Sequence, residues 1–264
     1  MTDSEFRLAL FLSVLAGMLL WERVSAVRPP ASGDWSRRGT NALLALGGVA
    51  VARVTMPTGL AAAAWIANQR HLGLLHIVPV SPSIGWVASV TTLDLAIYAQ
   101  HRAFHSVPVL WRLHSVHHAD RGFDVTTGVR FHPVEILLSL IWKSSIVIGL
   151  GAPVGAVLLF ELILSSTALF NHGNVRLPDR VEAWARLLLV TPTLHRIHHS
   201  LVREERDRNY GFSVTLWDRL FGTFLPAAAE PDQTIGFGLP GVAANRARSI
   251  AAMLLLPFRA PGAE

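Results

Sequence analysis

The chain has 264 residues, 51% of them hydrophobic and only 16% charged, with a mean hydropathy of +0.40, which is too apolar for a water-exposed surface and indicates an integral membrane protein. It contains no cysteine, which excludes disulfides, thiolate metal sites, iron–sulfur clusters and cysteine nucleophiles. The net charge of +5 comes from arginines in loops beside apolar runs, a pattern that fits an anionic membrane surface and argues against nucleic acid as a partner.

Four apolar runs predict the membrane helices. They cover residues 6–21, 42–67, 84–98 and 134–170, and the last is broken at "GLGAPVG". A membrane span needs about 20 apolar residues, so the last run is long enough for two closely joined helices. The first run follows acidic residues and precedes no small-x-small site, so we expect an anchor and not a cleaved signal peptide. The fold class predicted is all-α, an integral membrane helical bundle with about four to five spans.

Arginine placement predicts the orientation. Arg23, Arg28, Arg37 and Arg38 all follow the first apolar run, and cytoplasmic loops carry an excess of such charges. We therefore expect the amino terminus outside, and residues 101–132 and 195–199 on the cytoplasmic side. The expected location is the inner membrane of the cell.

Ten of the twelve histidines fall in short segments that border the predicted spans. Two segments share the spelling His-x-x-His-His, "HSVHH" at 114–118 and "HRIHH" at 195–199, and a third reads "HRAFH" at 101–105. His132 lies in "RFHPVEI" and His172 in "FNHGNVRLP". Crowded imidazoles repel one another when protonated, so we expect them to be neutral and available as metal ligands.

Helical spacing indicates two metals. Residues i and i+4 share a helix face, whereas neighbouring residues differ in direction by about 100°. His117 and His118 can therefore address different metals, and so can His198 and His199. Eight to ten imidazoles exceed the four ligands of a structural zinc site, and nitrogen ligation suits iron, zinc, copper or nickel.

The sequence lacks the motifs of several other kinds of catalytic or metal site. The sequence has no His-Glu-x-x-His, no Glu-x-x-His pair for a carboxylate di-iron site, no Gly-x-Ser-x-Gly elbow and no phosphate loop. Two alternatives to an enzyme stay open at this point. One is a non-catalytic metal-binding or metal-transport membrane protein, and the other is a membrane cytochrome.

The motifs between residues 90 and 225 resemble those of the fatty acid hydroxylase/sterol desaturase superfamily, in its bacterial sterol-desaturase-like branch. They include "HRAFH", "WRLHSVHHAD", "DVTTGVRFHPVEI", "TPTLHRIHHS" and "NYGFSVTLWDRLFGTF". The resemblance implies a cytosolic helical cap over the bundle that holds a histidine-rich dimetal site. It also implies two non-haem Fe ions, O2 as cosubstrate, and hydroxylation, desaturation or ether cleavage of a lipid such as a sterol or a fatty acyl chain. The electron donor would be a separate protein of the ferredoxin, rubredoxin or cytochrome type with its reductase.

The resemblance also implies the ligands, by motif: His101, His105, His114, His117, His118, His195, His198 and His199. His172 fits the additional histidine of the family, while His132 stays open between a ligand and a structural residue at a helix start. Among eight polar residues that could accept hydrogen bonds from the outer ring nitrogens, we favour three: Asp94, Asp120 and Asn174.

Three regions are expected along the chain. Residues 1–82 would form amino-terminal membrane helices and loops, 83–226 the catalytic domain, and 227–264 a carboxy-terminal tail. Glu161 lies inside the long apolar run, and an intramembrane carboxylate is expected to be functional or to pair with an arginine.

Overall fold

The structure is a computed structural model, and it describes residues 3–29 and 34–259. Within these residues the chain is helical, with isolated β-bridges and no strand. The α-helices are α1 (Asp3–Ser25), α2 (Asp34–Thr55), α3 (Gly59–Gln69), α4 (Leu74–Ile77), α5 (Pro82–Ser106), α6 (Pro108–His118), α7 (Pro133–Leu150), α8 (Val154–Asn171), α9 (Asp179–Ala185), α10 (Pro192–His198), α11 (Arg203–Arg206), α12 (Leu216–Leu220), α13 (Ala244–Ala247) and α14 (Ile250–Leu255). Two 3₁₀ turns cover Val125–Val129 and Leu256–Phe258.

Four stretches of the described chain are long and apolar enough to span a membrane. They are Glu5–Ser25, Asp34–Ile77, Pro133–Leu150 and Val154–Asn171. The predicted all-α bundle is therefore confirmed, and the last apolar run does form two helices, α7 and α8. Helix α5, which contains the predicted span 84–98, is not among the four, since Asp94, Gln100 and two histidines reduce its hydropathy.

The apolar run at 42–67 forms two helices and not one. Helix α2 ends at Thr55, and α3 starts at Gly59, whose positive φ of 66° is a conformation that favours glycine. Both helices continue in one direction along α7. Near the start of α7, a Cβ on Gly48 would meet Ile136, and beyond its end the amide of Asn68 donates to the Ala152 carbonyl at 2.9 Å.

Helices α1, α5 and α8 all run towards the same end of the bundle, which we call the histidine end because His101 and His172 lie there. The pairing of α1 with α8 includes the ion pair between Arg7 and Glu161, at 2.9 Å, so the prediction that Glu161 pairs with an arginine is confirmed. Helix α5 packs against α7 and α8 and contributes Leu93 and Ile97 to the main apolar core. This central position explains why α5 carries the polar residues of the site.

A cap of short helices covers the histidine end, and the carboxy-terminal segment is built into it. The guanidinium of Arg130 is fully buried and donates to the carbonyls of Val116 and Ala247. Arg196 is also fully buried and pairs with Asp232, donating to Oδ2 at 2.7 Å. Buried arginines are stable only when paired in this way, so the segment after residue 226 completes the cap. The division into three regions stays a prediction.

Candidate metal centre

Nine of the ten predicted metal-binding histidines meet at the histidine end, in two groups. The ligand atoms within each group lie within 4.8 Å of one another. Group one is His101, His105, His114, His118 and His198. Group two is His117, His172, His195 and His199. Helix starts fix these positions, since Pro108 and Pro192 occupy the first turns of α6 and α10, where proline is favoured.

The adjacent histidines divide between the groups, as the helical spacing indicates. The rings of His117 and His118 are inclined at 88° to each other, and those of His198 and His199 at 84°. His118 and His198 belong to group one, and their neighbours belong to group two. Each His-His pair therefore supplies one imidazole to each group.

The outer ring nitrogens of six histidines are held by oxygen acceptors. Because a carbonyl or carboxylate oxygen only accepts, Nδ1 must carry the proton in these rings, and Nε2 presents its lone pair to the group. The six contacts are His101 to the Tyr210 carbonyl at 2.7 Å, His105 to Asp207 at 3.2 Å, His114 to Glu135 at 2.7 Å, His117 to the Arg130 carbonyl at 3.1 Å, His172 to the Ala168 carbonyl at 2.7 Å and His198 to the Arg208 carbonyl at 2.7 Å.

One loop, residues 207–211, supplies three of these acceptors, all to group one. Its shape depends on Asn209, which has a positive φ of 51° and whose side chain donates to the carbonyls of Leu194 and Leu225. The buried carboxylate of Asp218 accepts from the backbone N–H groups of Tyr210 and Gly211, each at 2.8 Å. These contacts make the loop a rigid support for group one.

Two further features fix individual rings. Phe131 stacks on His117 with an inter-ring angle of 8° and a centroid distance of 4.5 Å. Gly128 lies against His172, where a Cβ would come within 3.2 Å of Nδ1 and 2.9 Å of the Ala168 carbonyl. Any larger residue at 128 would therefore displace the imidazole or the carbonyl that orients it.

Burial favours the neutral form of five histidines that the two groups contain: His101, His117, His172, His198 and His199. Loss of solvation lowers the pKa of His172 to about 4 and that of His198 to about 3, and it lowers the pKa of His101, His117 and His199 well below the ordinary value. Repulsion among the imidazoles adds to this effect for His101, His117 and His199. Neutral imidazole is the form that binds metal.

The donor atoms left without partners fit a metal site. Within the described chain, Nε2 of His105, His198 and His199 and both ring nitrogens of His118 are buried with no hydrogen-bond partner. Elsewhere Nε2 atoms face each other directly, as in His172 and His195 at 2.9 Å. Buried nitrogens without partners are costly unless something binds them. The residues present therefore suit two metal ions in nitrogen shells.

His132 lies in neither group. Its Nδ1 accepts a hydrogen bond from the Val134 N–H at the start of α7, and its Nε2 faces the Leu254 carbonyl at 3.2 Å. Both ring nitrogens are thus occupied by the helix start and the carboxy-terminal segment.

The three favoured acceptors also lie elsewhere, since no hydrogen bond between described residues joins them to an imidazole. Asp94 accepts from the Trp217 indole N–H at 2.7 Å, and Asn174 bonds the backbone of Arg28. Asp120 accepts from Arg37, at 2.9 Å, and from Thr127. These three residues stabilise the scaffold. The orientation of the imidazole rings depends instead on Glu135, Asp207 and four backbone carbonyls, and a carbonyl cannot be recognised from a pattern of side chains in the sequence.

A cavity of about 760 Å³ extends from group one into the helix bundle. At the histidine end it is lined by His101, His114 and Glu135, with Phe104, Phe131 and Phe212 beside them. Further along, α1, α2, α7 and α8 form its walls. A ligand in this cavity would approach the centre from the apolar interior. The histidines lie at one end of the bundle, whereas a transport site would be expected near its middle on discontinuous helices.

The fold and the histidine groups define a helical membrane protein with two groups of histidines that could each hold a metal ion, and comparison with known families adds to this. A family model described as fatty acid hydroxylase matches residues 86–223, just over half of the chain. The chain belongs to the fatty acid hydroxylase family and is an integral membrane protein. The resemblance seen in the histidine motifs is thereby confirmed.

Similar proteins carry names from lipid oxidation. Ornithine lipid hydroxylase OlsE of Rhizobium tropici is 29% identical over 96% of this chain and 75% of its own length. Human alkylglycerol monooxygenase is 29% identical over 53% of the chain, and fatty acid hydroxylase vlmA of Lecanicillium is 27% identical over 50%. The chain spans 30% and 39% of the length of these last two proteins. No solved structure shows a significant match.

Proposed function

We propose that this protein is an oxidoreductase that uses O2 to hydroxylate a C–H bond of a membrane lipid. The observation that carries the proposal is the opening of the cavity onto His101 and His114 of group one. The names of the three relatives, each a hydroxylase or monooxygenase, support the same reaction class. A chain in which no cavity joined the histidines to the bundle interior would not serve a lipid in this way.

We further propose that both metals are iron and that groups one and two are their ligands. Iron in imidazole shells would activate O2 for attack on an alkyl C–H bond. The overall reaction consumes the lipid C–H, O2, two electrons and two protons, and yields the lipid alcohol and water. The chain holds the ring nitrogens in place through the six oxygen acceptors, and the three phenylalanines exclude water from the cavity end.

The two electrons would come from a separate protein. A chain without cysteine cannot hold an iron–sulfur cluster of its own. The rings of His105 and Trp111 lie side by side, with their centroids 5.1 Å apart. The guanidinium carbon of Arg206 lies over the same indole, 4.8 Å from its centroid. Trp111 and Arg206 are partly exposed, and this supports electron entry to the buried His105 ring on the face that we assign to the cytoplasm.

The test combines metal content with oxygen labelling. Purified protein should contain two irons per chain, and lipids from membranes supplied with ¹⁸O2 and a reducing system should gain one ¹⁸O atom as a hydroxyl group. His198→Ala, which removes one imidazole of group one, should abolish ¹⁸O incorporation and lower the iron content without emptying group two, whereas His76→Ala, at an exposed histidine outside both groups, should change neither. One zinc per chain without O2-dependent lipid oxidation would overturn the proposal.

A further inference from the structure

The cavity has a charged end as well as a histidine end. Four ionisable side chains line it away from the metal groups, and we call them the distal cluster: Arg7, Arg53, Lys143 and Glu161. They come from four different helices, α1, α2, α7 and α8. Convergence of four helices on one charged pocket is not expected from a lipid-facing surface, because charges inside a membrane are costly there.

The cluster lies far along the helices from the histidine end, with Lys143 half-buried and Arg53 exposed. Lys143 follows Glu135 by eight residues on α7, an axial distance of about 12 Å at 1.5 Å per residue. Glu161 precedes Asn171, the last residue of α8, by ten residues, or about 15 Å. Between the two ends the lining is mainly apolar, with Met56, Ile136 and Leu140 among its residues. The cavity therefore joins two polar sites through an apolar passage.

The positive charge of the cluster is not balanced by the chain. Arg7 pairs with Glu161 at 2.9 Å, but among the described residues no carboxylate lies within ion-pair distance of Lys143 or Arg53. The Arg53 guanidinium donates to the Pro57 carbonyl at 3.3 Å, which leaves its charge unneutralised. Lys143 is the single lysine in the sequence, and the other 22 basic residues are arginines. Two cations thus remain for a ligand to neutralise.

We propose that the distal cluster binds an anionic group of the lipid, a carboxylate or a phosphate, through Lys143 and Arg53, with the Arg7–Glu161 pair closing the pocket beside them. The proposal deepens the proposed function, on which it rests, by naming the class of substrate. The lipid chain then lies along the apolar passage. The C–H bond presented to His101 and His114 is about 12 to 15 Å from the charged group, so oxidation falls on the chain and not on the atoms next to the charge.

The test measures binding and not turnover. Radiolabelled palmitate, hexadecyl phosphate and hexadecanol have the same chain length and differ in the group at its end. The purified holoprotein in neutral detergent should bind one or both anions at least about tenfold more tightly than the alcohol, the factor expected for one charge-assisted hydrogen bond. Preference for palmitate identifies a carboxylate lipid, and preference for hexadecyl phosphate identifies a phospholipid. Equal affinity for all three probes overturns the proposal.

Variants assign the preference to the cluster. Lys143→Met and Arg53→Gln should each lower the preference at least about threefold, because each removes one charge-assisted hydrogen bond to the anion, and Lys143→Arg should retain it. Arg70→Gln is the matched control. Arg70 is exposed, directly follows the end of α3 and does not line the cavity. An unchanged preference in a folded Lys143→Met protein contradicts the assignment.

A second measurement needs no variant. Because Lys143 is the only lysine, reductive methylation of its amine can be followed by mass spectrometry of one peptide. Palmitate or hexadecyl phosphate should slow methylation of Lys143, and hexadecanol should not. Anion preference without O2-dependent oxidation would retain this inference and remove the proposed reaction. Oxidation without anion preference would retain the proposed reaction and remove this inference.

Discussion

His117 and His118 are neighbours in the chain, yet their rings are inclined at 88°, with centroids 5.4 Å apart, and they belong to different histidine groups. Each contributes to only one metal in the proposed centre. Removing either one should therefore have a local effect on one group, while the second group keeps all its imidazoles.

Single alanine variants test this separation. His117→Ala takes one of the four imidazoles of group two, and His118→Ala takes one of the five of group one. We expect iron content to fall from two to about one per chain in His117→Ala, with a smaller loss in His118→Ala because four ligands remain, enough for one closed site. Elemental analysis of the purified variants, with His76→Ala as control, measures this. Loss of both irons in each variant would show that the groups are not separate.

Glu135 is expected to act through His114. Glu135→Ala removes the acceptor at 2.7 Å from Nδ1 and leaves that ring free to turn and to change tautomer. Metal affinity should fall about 10- to 100-fold, the effect of losing an oriented hydrogen bond to a ligand. Glu135→Gln keeps an acceptor oxygen and should restore most of the affinity. If Glu135→Gln and Glu135→Ala are equally impaired, the carboxylate has another role.

Asp218 should support group one without touching it. Asp218→Ala leaves the buried N–H groups of Tyr210 and Gly211 without acceptors, and each unsatisfied donor costs about 1 to 3 kcal/mol of unfolding free energy. We expect a lower melting temperature together with weaker metal retention. Asp179→Ala, at an exposed carboxylate in a surface ion pair, is the control and should melt like the parent protein. A destabilised variant with full metal retention would show that the loop is not needed for group one.

Acid should destabilise the metal-free protein. The folded-state pKa of His172 is about 4 and that of His198 about 3, both below the unfolded value of 6.5, so the unfolded chain binds protons first as pH falls. Stability contributed by these neutral rings is full above about pH 6.5 and is lost towards pH 4, by up to about 1.4 kcal/mol per pH unit for each histidine. Denaturant titrations of the chelated protein from pH 8 to pH 4.5 measure the slope. A flat profile below pH 6.5 would contradict the burial of neutral rings.

The sequence was sufficient to predict which histidines meet and how the adjacent pairs divide. The division follows from helical geometry, because three and four residues return a side chain to one face and one residue turns it away. The set of histidines follows from the resemblance to the family, since the nine lie on four helices, or at their ends, whose convergence at one end of the bundle no local spacing reports.

The hydrogen-bond acceptors could not be predicted in the same way. Four of the six are backbone carbonyls, including those of Arg208 and Tyr210, and every residue carries a carbonyl. The other two acceptors are the side chains of Glu135 and Asp207, whereas the sequence pattern favours Asp94, Asp120 and Asn174. The break between α2 and α3 at Gly59 was missed because the apolar run continues across it.

The carboxy-terminal segment has a consequence for the order of assembly. Arg196 and Arg130 are buried among the elements that carry the histidines, and they find Asp232, Ala247 and the Met253 sulfur only in the last part of the chain. During synthesis the membrane helices and all nine grouped histidines are made before these partners. The cap around the histidines is therefore completed last, after translation has passed Met253, and a ribosome stalled before Asp232 would present the histidines on a cap whose central arginines lack these carboxy-terminal partners.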